Sequence, residues 1–220
     1  MGQVDSALQD IYRRLLDEYG PQRWWPAESP FEVMVGAILT QSAAWANVEK
    51  AIGNLKRAGL LSPRGIHNQS LDELAPLVRP SGYYNAKAKK LKAMVEWLGK
   101  HSDNLDKAFS GDTAELRSEL LAVHGIGPET ADSILLYAAL KPVFVIDAYT
   151  RRILSRLGLA SPEDTYDDLQ RLFMANLEAD VQIFNEYHAL LVRLGKEACR
   201  KAPLCSQCCL AEICRSQKGA

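Results

Sequence analysis

Two groups of residues in this sequence carry chemistry that packing does not require: cysteines crowded near one end, and a Gly-x-Gly turn at 125–127. The five cysteines, Cys199, Cys205, Cys208, Cys209 and Cys214, all fall in the last 22 of 220 residues. A disulfide framework usually spreads its cysteines through a small secreted chain. A tight cluster, in a chain whose Met1 to Tyr19 stretch mixes charges into a helical pattern instead of an export signal, points to metal ligation in a reducing compartment. Four of them follow C-x5-C-x2-C-x5-C through Cys199, Cys205, Cys208 and Cys214. Soft thiolates at that spacing can wrap an iron–sulfur cluster in one compact loop or hold tetrahedral zinc. Cys209 is then the spare thiol, although it competes with Cys208 for the third position.

The glycine pair lies in Leu120-Leu121-Ala122-Val123-His124-Gly125-Ile126-Gly127-Pro128-Glu129-Thr130-Ala131-Asp132, which reads as helix, tight turn, helix. Both glycines are free to take positive φ and to let backbone come close, while Ile126 plugs between the helices. The amides at the start of the second helix then face outward, where the helix dipole favours an anion such as a phosphate. Taken alone, the turn serves equally well as a plain helix–helix connector. Further on, Lys141-Pro142-Val143-Phe144-Val145-Ile146-Asp147 is β-branched, but it has no partner strand. A buried connector is expected, ending at Asp147 as the N-cap of a helix from Ala148.

These groups must be positioned by helices, because apolar residues recur at three- and four-residue spacing almost throughout: Leu8, Ile11 and Leu15, then Leu91, Met94, Val95 and Leu98, then Leu154 and Leu157. Breakers at Gly20-Pro21, Ser29-Pro30, Ser62-Pro63, Pro80-Ser81-Gly82 and Lys141-Pro142 divide the chain into about ten short helices, an all-α fold. Ser29-Pro30-Phe31-Glu32 has a capping serine, a first-turn proline and a glutamate three residues on, a good helix start. Asp72 to Pro76 and Asp103 to Asp106 read as shorter starts. With 47% hydrophobic residues the chain can pack a core, and no apolar run is long enough to span a membrane. A formal charge of −1 gives no global polyelectrolyte signal, so any nucleic-acid contact must be local.

From the hairpin the sequence runs through Ala131-Asp132-Ser133-Ile134-Leu135-Leu136-Tyr137 to Ile146-Asp147-Ala148-Tyr149-Thr150-Arg151-Arg152. Here the chain resembles the endonuclease III superfamily of helix-hairpin-helix DNA glycosylases. Ser29 to Gln41, Gly82-Tyr83-Tyr84-Asn85-Ala86-Lys87-Ala88 and the terminal cysteines occur in that family's order, so the resemblance covers nearly the whole chain. It implies two helical domains with a cleft between them: a helical barrel with the hairpin at 30–140, and a cluster domain from 1–29 plus 141–220. It also implies that Asp147 is catalytic, because a carboxylate beside C1′ can stabilise the cationic sugar formed when an N-glycosidic bond breaks. Strand-cleaving members carry a lysine where this chain has Glu129, and a carboxylate forms no imine. A monofunctional enzyme is therefore implied, with Glu129 a second-choice catalytic residue that positions water or contacts the base. The alternative for Glu129 is a solvated early-helix acid.

The same resemblance places the extruded base among Trp24, Trp25, Pro26 and Trp45, similar to the 3-methyladenine glycosylase branch. Aromatic faces there would attract a cationic alkylated purine. The alternative is that these indoles only pack a domain junction. Gln41 or Ser42 is expected near the gap left by the base, and His124, Gly125, Ile126, Gly127 and Lys87 at DNA phosphates. A monovalent cation at the hairpin carbonyls of Leu121, Val123 and Ile126 is allowed, and His188 and Lys196 could reach the same region. The family's C-x6-C-x2-C-x5-C pattern is one residue longer in its first gap, yet it favours a [4Fe–4S] cluster over zinc. The expected partner is duplex DNA with a damaged base, met by a cytoplasmic, nucleoid-associated monomer. A pyrimidine or mismatch glycosylase is the competing enzyme, and a non-catalytic DNA-binding or redox-sensing protein the competing class.

Overall fold

The computed structural model describes residues 2–218 and is all-helical, with thirteen α-helices and no strand among the described residues. No described helix is long and apolar enough to cross a membrane. The chain divides into two compact units, Trp25–Lys141 and Met1–Trp24 with Pro142–Ala220.

The numbering of elements starts with α1 (Gly2–Tyr19), which belongs to the discontinuous unit. The continuous unit holds α2 (Pro30–Leu39), α3 (Trp45–Arg57), α4 (Pro63–Asn68), α5 (Leu71–Val78), α6 (Tyr84–Gly99), α7 (Leu105–Phe109), α8 (Thr113–Leu121) and α9 (Pro128–Ser133). From Phe31 to Leu39 every residue of α2 is buried, as a helix apolar on all sides must be. It is packed by α3, α6, α9 and the π turn Ile134–Ala138 that continues α9. Ser29 caps α2 by accepting from the Glu32 amide, but Glu32 does not reach back to Ser29. Its Oε2 accepts from Glu28 N–H and its Oε1 pairs with Lys56 at 3.0 Å. The two shorter starts are shifted. Ser70 and Glu73 form a full capping box for α5, ahead of Asp72, and Asn104 rather than an aspartate caps α7. Each side-chain cap supplies about 1 kcal/mol, so a neighbouring residue with better reach decides the boundary.

The other unit joins α1 to α10 (Ala148–Leu157), α11 (Tyr166–Met174), α12 (Val181–Glu197) and α13 (Arg215–Lys218). Helix α12 packs on α1 and α10, and the buried Tyr187 hydroxyl donates to Leu8 O at 2.9 Å. Residues 142–147 form the expected connector without strand pairing, and Val143 to Ile146 are buried. A buried backbone must still satisfy its polar groups, and α11 provides the partners. Gln170 donates to Phe144 O at 2.7 Å, and Ile146 N–H donates to the Tyr166 hydroxyl at 3.3 Å. The Phe144 ring stacks on Phe173 with centroids 3.8 Å apart and meets Phe184 and Tyr187 edge-on.

Candidate active site and cysteine loop

The hairpin is held as a rigid unit. Arg117 of α8 donates Nε and Nη2 to the two oxygens of the fully buried Asp132 of α9, at 2.7 and 3.1 Å. A bidentate pair of this kind fixes the angle between the helices as well as neutralising the buried charge. Ile126 is buried between them, whereas His124, Gly127 and Glu129 are exposed. The two glycines differ in the use they make of that freedom. Gly125 lies at φ +80, and a Cβ there would come within 2.4 Å of Lys90 Cγ. Gly127 is extended, at φ −96 and ψ 179, and open space lies where its Cβ would point. Nothing inside the protein therefore requires glycine at 127. No side chain caps α9, and its first residue, Pro128, has no N–H to satisfy.

Two of the expected DNA contacts are used internally. Lys87 is only 2% exposed and donates to Leu39 O at 2.8 Å and Ser81 O at 2.6 Å, so its ammonium binds the end of α2 and cannot meet a phosphate. Burial, then the charge of Lys90, lowers its pKa to about 8. Gln41 donates to Gly125 O at 3.1 Å and Thr130 Oγ1 at 2.9 Å and accepts from Lys90, which clips the loop after α2 to the hairpin. Ser42 is exposed in left-handed backbone at φ +52. Tyr83, which the sequence reading passed over, is 76% exposed and also left-handed, at φ +46. A large exposed aromatic held in costly backbone is a mark of function, and the Gly82-Tyr83-Tyr84 run was its available signal.

Asp147 is the N-cap of α10. Its Oδ1 accepts from Thr150 N–H at 2.7 Å, and its Oδ2 lies 3.8 Å from Nε2 of His188 on α12. The carboxylate side chain is 11% exposed. Burial pushes the His188 pKa below its ordinary value, and the charge of Asp147 opposes the shift. Helix α10 can approach α12 closely because residue 195 is glycine; a Cβ there would sit 2.5 Å from the Tyr149 ring. The connector, Gln170, Tyr166 and Gly195 thus set where the carboxylate stands.

The residues expected at the base are shared out between the two units. In the continuous unit Trp25 lies edge-on to Trp45 with centroids 5.3 Å apart, tilts against Tyr137 at 5.2 Å, and rests beside Gly36. Pro26 and Trp45 line a concavity of about 410 Å³ together with Glu32, Glu49 and Lys56. Trp24 belongs to the other unit, where Lys196 Nζ sits 5.7 Å from its ring centroid. The sequence reading missed Tyr137 as a member of the aromatic group.

In the cysteine loop, burial raises the Cys208 thiol pKa, a hydrogen bond from the backbone of Leu210 lowers it, and the charges of Cys199, Cys214 and Cys205 raise it further. Those three are the spacing partners of Cys208. Cys209, pushed up to about 11 by burial and then by Cys208, has Glu18 and Arg14 of α1 among its electrostatic neighbours. The loop is tied to α10. Arg152 donates to Cys199 O and Gly195 O, and Arg156 donates to Arg200 O, Lys201 O and Cys199 Sγ. Both arginines thus hold the loop to α10. Among the described residues, no three Cys, His, Asp or Glu side chains converge on a point that would hold a single ion. Four thiols are a donor set of the kind that iron–sulfur clusters take.

Residues 35–179 match the HhH-GPD superfamily of base excision DNA repair proteins. Over 212 residues the chain is 49% identical to a protein of Methanocaldococcus jannaschii named provisionally as a DNA repair glycosylase, spanning 96% of each. It is 28% identical to endonuclease III of Sulfolobus acidocaldarius over 187 residues, 84% of this chain and 81% of the relative. The structure of H. pylori 3-methyladenine DNA glycosylase bound to 1,N6-ethenoadenine shares 33% identity and a TM-score of 0.73, over 89% of this chain and 96% of that one. A non-covalent endonuclease III–DNA complex shares the fold at a TM-score of 0.83 and 21% identity, over 98% and 97% of the two chains. With the hairpin, the capping aspartate and these matches in agreement, the chain belongs to the HhH-GPD superfamily of base excision DNA repair proteins.

Proposed function

We propose that this protein is a monofunctional DNA glycosylase that removes an alkylated purine from duplex DNA by hydrolysis, acting as a monomer. The observation that carries the reading is Asp147: a carboxylate fixed by one oxygen to the α10 amide, with its other oxygen outside the cap and 3.8 Å from His188 Nε2. As the base departs, the C1′–N bond breaks, its electron pair leaves with the base, and the sugar becomes cationic. Asp147 stabilises that charge, and water adds at C1′ and gives up a proton. Glu129 occupies the hairpin position where a lysine would form an imine, so the sugar is not captured by the protein.

The aromatic group of Trp25, Trp45 and Tyr137 supports a stacked base, and the 33% identity to the H. pylori enzyme supports a purine. The ammonium of Lys196 opposes a cationic base at Trp24, so cation–π attraction falls to Trp25 and Trp45 instead. DNA phosphate is assigned to the open face at Gly127 and the neighbouring first-turn amides of α9, with a monovalent cation on the hairpin carbonyls of Leu121, Val123 and Ile126. Ser42 and Tyr83 are the exposed side chains suited to fill the gap in the duplex. Cys199, Cys205, Cys208 and Cys214 would hold a [4Fe–4S] cluster, whose contribution is to brace the loop that Arg152 and Arg156 tie to the helix of Asp147.

The test is base release from dimethyl-sulfate-methylated duplex DNA and from a duplex carrying an oxidised pyrimidine, each with and without borohydride. Release of methylpurine with no trapped adduct is expected. The 28% identity to endonuclease III supports the pyrimidine reading, which pyrimidine release would establish. A borohydride-trapped adduct would overturn the hydrolytic mechanism.

A further inference from the structure

Along the buried stripe of α12, Phe184, Leu191 and Gly195 are apolar or small, yet position 188 between them is a histidine that is itself buried. An imidazole in such a stripe loses hydration for no packing gain over leucine, so its polar edge needs a reason. That edge faces Asp147: Nε2 stands 3.8 Å from Oδ2, the carboxylate oxygen that the helix cap does not use. The Phe144 ring lies perpendicular to the imidazole with centroids 6.5 Å apart, which limits its freedom to turn away. The separation is just beyond hydrogen-bond reach, and contacts of this kind commonly tighten when substrate binds.

We propose that His188 is a positioning residue for base excision: as a neutral imidazole it donates its Nε2 proton to Asp147 Oδ2 and so aims the carboxylate. The inference rests on the reading that Asp147 acts at C1′. Its physical interest lies in the choice of partner. Lysine or arginine at this place would also hold the carboxylate, but a full positive charge would cancel the field that steadies a cationic sugar. A neutral donor orients the carboxylate and leaves its net charge intact. Burial favours that neutral form. The charge of Asp147 acts on the imidazole, while the Phe144 ring on the connector carries none.

The test uses the full-length protein carrying His188→Leu or His188→Gln. On methylated duplex DNA, His188→Leu should slow single-turnover release roughly ten- to hundredfold, the loss of one hydrogen bond to a charged group. Affinity for a duplex with a stable abasic analogue should stay within about twofold. His188→Gln, which restores an uncharged N–H donor, should recover most of the rate. Equal rates in the two variants, beside an inactive Asp147→Asn, would overturn the proposal and leave His188 a packing residue. If Asp147→Asn releases base at the wild-type rate, the reading of Asp147 fails, and the proposal fails with it.

Discussion

The two hairpin glycines separate a structural requirement from a functional one, because the same substitution meets opposite surroundings. At Gly125, alanine must hold φ +80, which costs about 1–2 kcal/mol for an L residue. Its Cβ also falls 2.4 to 2.7 Å from Lys90 Cγ, Cε and Cδ, so the lysine must move and release Gln41. Losing that charge-assisted bond adds about 1.5 kcal/mol, for a total near 3 kcal/mol. In a chain of this length that is a fall in Tm of roughly 6–12 °C. At Gly127, alanine finds φ −96 and open space, so stability should change by less than about 0.5 kcal/mol. The added methyl nevertheless stands where phosphate is expected to approach the α9 amides. Affinity for duplex DNA should therefore fall about tenfold or more in low salt. Thermal unfolding and fluorescence anisotropy on both variants give the comparison. Gly127→Ala with wild-type affinity, or with the thermal loss of Gly125→Ala, would refute the assignment of the open face.

Other outcomes follow from the same structure. Cys208→Ser should lose bound iron and acid-labile sulfide, while Cys209→Ser should keep both, because Cys208 has the other three spacing partners as electrostatic neighbours and Cys209 has α1 residues. Lys87 binds its proton less tightly folded, at about 8, than unfolded, at 10.5. The unfolded chain then carries more protons in that window, so this residue adds stability as pH rises through it. Urea unfolding of wild type and Lys87→Met at both ends of the window should show the difference shifting toward the wild type. His188 follows the same sign at lower pH. Its folded pKa lies below 6.5, so wild-type stability should decline as pH falls below that value, and His188→Gln should decline less.

Features fixed by local spacing were legible in the sequence. The cap at Asp147, the buried connector before it, the plug at Ile126 and the helical periods each depend on neighbours a few residues away. The residues that were misread depend on distant partners. Lys87 lies in a visibly cationic stretch, but whether its ammonium faces water is decided by carbonyls of Leu39 and Ser81. Gln41 takes its place from Gly125 and Thr130, partners 84 and 89 positions away. His188 has no local motif, and its meaning comes from α10 meeting α12. Conversely, Gly127 looked as constrained as Gly125 because composition cannot separate a glycine needed for φ from one that leaves room outside.

The most direct measurement is single-turnover base release by Asp147→Asn on methylated duplex DNA, with affinity for an abasic-analogue duplex measured on the same preparation. Asparagine can still cap α10, so the fold and binding should persist while release falls at least about a hundredfold. Release near the wild-type rate, by a variant that binds and unfolds normally, would contradict the role given to this carboxylate.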